Sequence, residues 1–171
     1  MLNNRVVELL NDQVNKEFYS AYLYLDFANY YHDKSLDGFA NWYEIQAKEE
    51  MDHAMLMVKF LQNNDHSVKL EAIAKPNVEL NEFIDPLNEA LKHEKYVTSL
   101  INNIYEVALE TKDYRAQKFL SWFIDEQGEE EKNAMEMIDR FKLFGGDPHG
   151  LYALDSEFKT RKYSAPSLEL D

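Results

Sequence analysis

Four long segments of this chain repeat apolar residues at intervals of three and four, and each carries a glutamate near its middle. The first stripe is Leu10, Val14, Glu17, Ala21, Tyr24, Ala28. The second is Phe39, Tyr43, Gln46, Glu50, His53, Met57, Phe60. The third is Phe83, Leu87, Ala90, Glu94, Val97, Ile101, Ile104, Ala108. The fourth is Ala116, Leu120, Phe123, Gln127, Glu130, Ala134, Met137, Phe141. Residues three and four apart share one face of a helix, so each stripe predicts an amphipathic helix packed against neighbours.

Glycine and proline are few, 5 and 4 in 171 residues, and they mark the breaks. Punctuation falls at HDKSLDG (32–38), around Pro76, at Pro86 and at GGDPHG (145–150). Pro86 suits the first turn of the third helix, where a missing N–H is tolerated. Short links join helices one and two, and three and four around Thr111–Asp113, which makes each pair antiparallel. A long run from Asn64 to Asn81 separates helices two and three; at up to about 3.3 Å per residue it is able to cross a helix length. The expected fold is all-α: a four-helix bundle with one long crossover between helices two and three. A short fifth helix is expected at about 148–160. Residues 1–160 then form one domain, and the polar segment 161–171 is expected to be a loose tail.

With helix ends aligned, the four midpoint acids lie at one level of the core. The stripes contain no lysine or arginine to offset them. A buried, uncompensated carboxylate costs several kcal/mol even after relaxation, and several together cannot all remain ionised without cations. A fully protonated layer or a water-filled pocket would also relieve the charge, but neither accounts for His53 and Gln127 joining the same level. Glu50 and His53, within EEMDH (49–53), are three apart and share the stripe face.

Four carboxylates balance two divalent ions. One imidazole among oxygens suits iron or manganese, and zinc is compatible; magnesium and calcium seldom take the histidine. Bundles with dinuclear carboxylate centres use a Glu from each of two helices and Glu-x-x-His from the other two. Here helix two supplies Glu50-x-x-His53, but helix four supplies Gln127-x-x-Glu130. The second metal position is therefore poor in nitrogen, which fits metal in transit better than a permanent cofactor. Glu49, Glu126 and Glu129 lie beside this layer and admit two readings: solvated surface acids, or a third metal position sharing Glu130.

Acids outnumber bases by 32 to 18, a formal charge of −14. This disfavours nucleic acid and anionic membranes and favours cations. There is no cysteine, which removes thiolate ligands and thiol catalysis. The N-terminus MLNNRVVELLNDQVNKEF lacks the basic and apolar regions of a secretory leader. No run approaches the ~18 apolar residues of a membrane span. A soluble, cytoplasmic protein is expected.

Taken together, Glu17, Tyr24, EEMDH (49–53), KHEK (92–95), WFIDEQGEEEK (122–132) and GLYALD (150–155) resemble the motifs of prokaryotic non-haem ferritins, and the resemblance covers nearly the whole chain. It implies iron storage with ferroxidase activity, in which Fe²⁺ is oxidised by dioxygen or peroxide and kept as mineral. By the same resemblance, the first iron is held by Glu17, Glu50 and His53. The second is held by Glu50, Glu94 and Glu130 with Gln127 close by, and a third site uses Glu49, Glu126, Glu129 and Glu130. Tyr24 and Trp122 match aromatic residues beside the family's centre. The resemblance also implies a hollow homo-oligomer of twenty-four subunits.

Three other readings are set against this one. Met51 matches the haem-ligating methionine of bacterioferritins, but the second Glu-x-x-His of that family is missing, so no haem is expected. Di-iron oxygenases generally keep nitrogen ligands on both irons, and rubrerythrin-like proteins need cysteine. A purely structural bundle with a hydrated polar layer is the third.

Overall fold

The computed structural model describes residues 2–170, which among them form five helices and no strand: α1 (Asn4–Asp33), α2 (Asp37–Asn63), α3 (Asp85–Glu110), α4 (Tyr114–Phe144) and α5 (Pro148–Phe158). Local chemistry sets most of the starts. The Asn3 side chain accepts from Arg5 N, Asp113 accepts from Ala116 N, and Asp147 accepts from His149 N and Gly150 N, with Pro148 in the first turn. Three of the ends share one device without glycine. Ser35, Asp65 and Lys112 take left-handed φ values of 59°, 63° and 54°. The following amides of Leu36, His66 and Asp113 then reach back to Tyr31 O, Leu61 O and Ala108 O, as in a Schellman motif.

Ring contacts fix the helix directions. Along α2, Phe60 stacks on Phe119 at 4.0 Å, Gln46 meets Glu130, and Phe39 meets Phe141, so α2 and α4 run antiparallel. At one end Tyr31 Oη donates to Phe83 O and Tyr43 Oη donates to Pro86 O, which puts the start of α3 beside the start of α2. Helices α2 and α3 are therefore parallel. The crossover of residues 64–84 runs along α1, where Lys69 N and Glu71 N donate to the side-chain oxygens of Asn11 and Asn15, 2.8 Å each.

The stripes face inward. Their residues are buried except Phe83, which precedes α3, and Ala134 and Phe141, which are half-buried. The apolar core falls into two clusters. One contains Val6, Leu10, Val14, Met57, Leu61, Ile101, Leu120 and Phe123; the other contains Tyr24, Phe27, Tyr31, Phe39, Tyr43, Leu87 and Met137. The midpoint acids lie between them, so the polar residues form a layer across an otherwise greasy bundle.

Two features concern the C-terminal part. Gly38 lets α5 approach α2: a Cβ there would sit 1.6 Å from Asp155 O, while Gly38 N and Phe39 N donate to Asp155 Oδ1. Residues 161–170, expected to be loose, instead lie against α2 and α4. Tyr163 Oη donates to Asp52, Trp122 Nε1 donates to Ser167 Oγ at 2.9 Å, and Leu168 and Leu170 pack on the first apolar cluster. Polar composition hid these contacts, because each docking residue acts alone and leaves no period.

Candidate metal centre

All six polar side chains predicted for the dinuclear centre are buried, from 1% exposed for Glu17 to 6% for Glu130. One face of α1 brings Glu17, and α2 brings Glu50 and His53 from successive turns. Ligand atoms of these three lie within 4.8 Å of one another, the only such histidine–carboxylate group among the described residues. His53 Nδ1 is 3.5 Å from Glu50 Oε2. The imidazole is fixed edge-on by Trp122 and Phe123, at 5.6 and 5.8 Å between ring centroids. Glu17 Oε1 accepts from Gln13 Nε2 at 2.8 Å, but its Oε2 is buried with no partner. An orphaned, buried carboxylate oxygen next to an imidazole and a second carboxylate is a donor set that fits a divalent cation.

Glu94 and Glu130 occupy the other half of the layer and are held by neutral donors. Tyr24 Oη and Gln127 Nε2 donate to the Glu94 carboxylate, the latter at 3.1 Å. Gln46 Nε2 donates to Glu130 Oε2 at 2.6 Å. Gln13 and Gln46 were not singled out as site residues from the sequence. Gln46 lies on the stripe, four residues before Glu50, and Gln13 lies four before Glu17; a glutamine one turn before each of these two acids is the signal.

Burial is the main cause that pushes the carboxyls of Glu17, Glu50, Glu94 and Glu130 above the ordinary glutamate range. Like charge adds to it: Glu50 acts on Glu17, Glu94 on Glu50, and Glu94 with Glu50 on Glu130. Burial likewise lowers His93 to about 4, so this ring, hydrogen-bonded to Ser20 Oγ at 2.8 Å, is neutral and offsets none of the charge. Raised in this way, the carboxyls favour their protonated forms, and a divalent ion bound among them would take the place of those protons.

The flanking acids are arranged differently. Glu126 is half-buried and Glu129 exposed. Glu49 Oε2 accepts from Arg161 Nη2 at 2.6 Å. Burial raises the Glu49 carboxyl and the Arg161 charge opposes that rise. Trp122 lies against His53, and Met51 is exposed.

Comparison with known proteins places the bundle in a family. Residues 7–150 match the family model described as a ferritin-like domain. The chain belongs to the ferritin family. It is 37% identical over 159 residues to a bacterial non-heme ferritin of Campylobacter jejuni, covering 93% of this chain and 95% of that one. A bacterial non-heme ferritin of Staphylococcus haemolyticus is 35% identical over 163 residues, covering 95% and 98%. Among solved structures, an open-pore ferritin of the archaeon Archaeoglobus fulgidus superposes with a TM-score of 0.92 at 38% identity, covering 95% of this chain and 99% of that one. A form of that ferritin engineered to close gives 0.93 at 37% identity, covering 96% and 100%. This ferritin shares their bundle with the short C-terminal helix, and no helix among its described residues is long and apolar enough to cross a membrane.

Proposed function

We propose that this ferritin stores iron, oxidising Fe²⁺ at the buried carboxylate layer and holding Fe³⁺ as mineral inside a shell of twenty-four copies. The observation that carries this reading is the Glu17–Glu50–His53 group, with its partnerless carboxylate oxygen, in a bundle whose buried polar residues, among those described, include no lysine or arginine.

Two Fe²⁺ ions are the substrate. Glu17 and His53 hold the first, Glu94 and Glu130 hold the second with Gln127 beside it, and Glu50 is shared. Each ion gives one electron to dioxygen, which leaves as hydrogen peroxide after taking two protons; with peroxide as oxidant, the same two electrons and two protons give two waters. Hard anionic oxygen favours the ferric product over the ferrous one. Glu94 and Glu130, held by amides and a phenol rather than by a second imidazole, grip their ion loosely enough to pass it to the cavity. Glu49, Glu126, Glu129 and Glu130 form a third, weaker position on that route. Tyr24 and Trp122, one touching Glu94 and the other His53, are placed to supply electrons to the centre. The net charge of −14 draws Fe²⁺ inward, and the protein works in the cytoplasm.

The test is stopped-flow oxidation of Fe²⁺ by the assembled protein. Glu50→Ala removes the shared ligand and should slow the fast phase at least about a hundredfold, as loss of a metal-orienting group does, while circular dichroism stays unchanged. Oxidation at the wild-type rate would refute the proposal.

A further inference from the structure

Arg161 reaches the edge of the polar layer from the segment after α5 and sets a charged donor against Gln46 and Glu49. Its Nη2 donates to Glu49 Oε2 at 2.6 Å. Its Nη1 donates to Gln46 Oε1 at 3.0 Å and to Trp42 O at 3.1 Å. The guanidinium lies 4.2 Å from the centroid of the Trp42 ring, and Asn41 Nδ2 donates to Arg161 O. Both side chains of the Arg161–Glu49 pair are 19% exposed, so solvent screens the pair far less than a surface one.

This geometry has a logical consequence for Gln46. A guanidinium carries donors and no acceptor, so it can bond only the oxygen of that amide. The NH₂ group is left to face Glu130, and it does so at 2.6 Å. Gln46 therefore presents a donor, never a ligand oxygen, to the centre. The same fork holds Glu49, one of the acids that would otherwise be free to bind metal.

We infer that Arg161 is a tethered cation that competes with metal at the third position: it keeps Glu49 from binding and turns the Gln46 amide so that its oxygen points away from the ions. The inference rests on the iron-handling reading above and adds a control to it. A metal ion arriving at Glu49 must displace the guanidinium, so the third position fills only after the dinuclear centre is occupied. Arg161 acts through Glu49 and Gln46 and is a positioning residue.

The experiment is calorimetric titration of the assembled, full-length protein with Zn²⁺, a redox-silent probe. The wild type binds two ions per chain tightly and a third weakly. Arg161→Gln tightens the third by on the order of tenfold or more, as removal of a competing partly buried charge allows. The double variant Glu49→Gln, Arg161→Gln loses that gain. Arg161→Lys keeps a charge and a long stem but cannot bridge Glu49 and Gln46 at once, so it gives an intermediate gain and decides the matter should the glutamine variant fail to assemble. Wild-type titration curves for the Arg161 variants, or a gain that survives loss of the Glu49 charge, would overturn the inference. Absence of tight Zn²⁺ binding in the wild type, or tight binding indifferent to Glu50→Ala, would instead strike the iron-handling reading itself.

Discussion

The Tyr24 hydroxyl donates to the Glu94 carboxylate, joining α1 to α3 at the level of the buried acids. Burial and the charges of Glu94 and Glu50 raise the phenol well above its ordinary range, so it remains a donor at every physiological pH. Tyr24→Phe leaves Glu94 with its Gln127 bond alone. Losing one partner of a buried hydrogen bond costs about 1–3 kcal/mol. The metal-free variant is expected to lose that much unfolding free energy, read from a lower denaturant midpoint, while its Zn²⁺ stoichiometry stays as in the wild type. A lost ion would show that the phenol holds metal rather than Glu94.

The scarcity of nitrogen on α4 has its own consequence. Exchanging the two polar residues there, by Gln127→Glu with Glu130→His, keeps the carboxylate count and adds an imidazole beside the second ion. Retention of that ion through gel filtration should rise on the order of tenfold, the scale at which ligand changes move metal affinity. Faster loss in the double variant would contradict the view that the natural site is built to release.

The pH dependence follows from the raised carboxyls of Glu17, Glu50, Glu94 and Glu130. Unfolded, these groups lose protons near the ordinary value of about 4.3; folded and metal-free, they keep them to higher pH. In the window between, the folded state binds more protons, so their contribution to stability is greatest below the ordinary value and falls as pH rises. A divalent ion replaces those protons. The gap in melting temperature between Zn²⁺-loaded and metal-free protein should therefore widen from about pH 5 to about pH 8. A gap that narrows over that range would show that the acids are not the ligands.

At the other end of the bundle, Gly38→Ala drives a methyl group into Asp155 O and breaks the capping bonds of Asp155 to Gly38 N and Phe39 N. Overpacking of this kind costs about 1–3 kcal/mol. Hydrogen exchange should quicken in α5 and leave the amides of α1 and α3 around Glu17 and Glu94 protected.

The four stripes were legible because a helix that buries one face must repeat every three or four residues, and Glu17, Glu50, Glu94 and Glu130 stand where that repeat places them in the core. The length of the run between the second and third stripes permitted a crossover without requiring one. What the sequence did not show are the partners set by the register between helices. Gln46 is visibly on a core face, but that it meets Glu130, 84 residues away, depends on how α2 and α4 slide past one another. Arg161 was hidden more deeply. It sits in a polar stretch without period, and nothing local reveals that its guanidinium folds back onto Glu49, 112 residues earlier. Glu49 was ambiguous for the same reason, since its environment includes a cation from the tail.

The most direct measurement is an anomalous-difference map from crystals soaked anaerobically with Fe²⁺ and collected at the iron absorption edge. Two peaks are predicted in the layer between the two apolar clusters, one bounded by Glu17, Glu50 and His53, the other by Glu50, Glu94 and Glu130. An iron-soaked crystal with no peak in that layer, its glutamates still bonded only to Gln13, Gln46, Tyr24 and Gln127, would contradict the account.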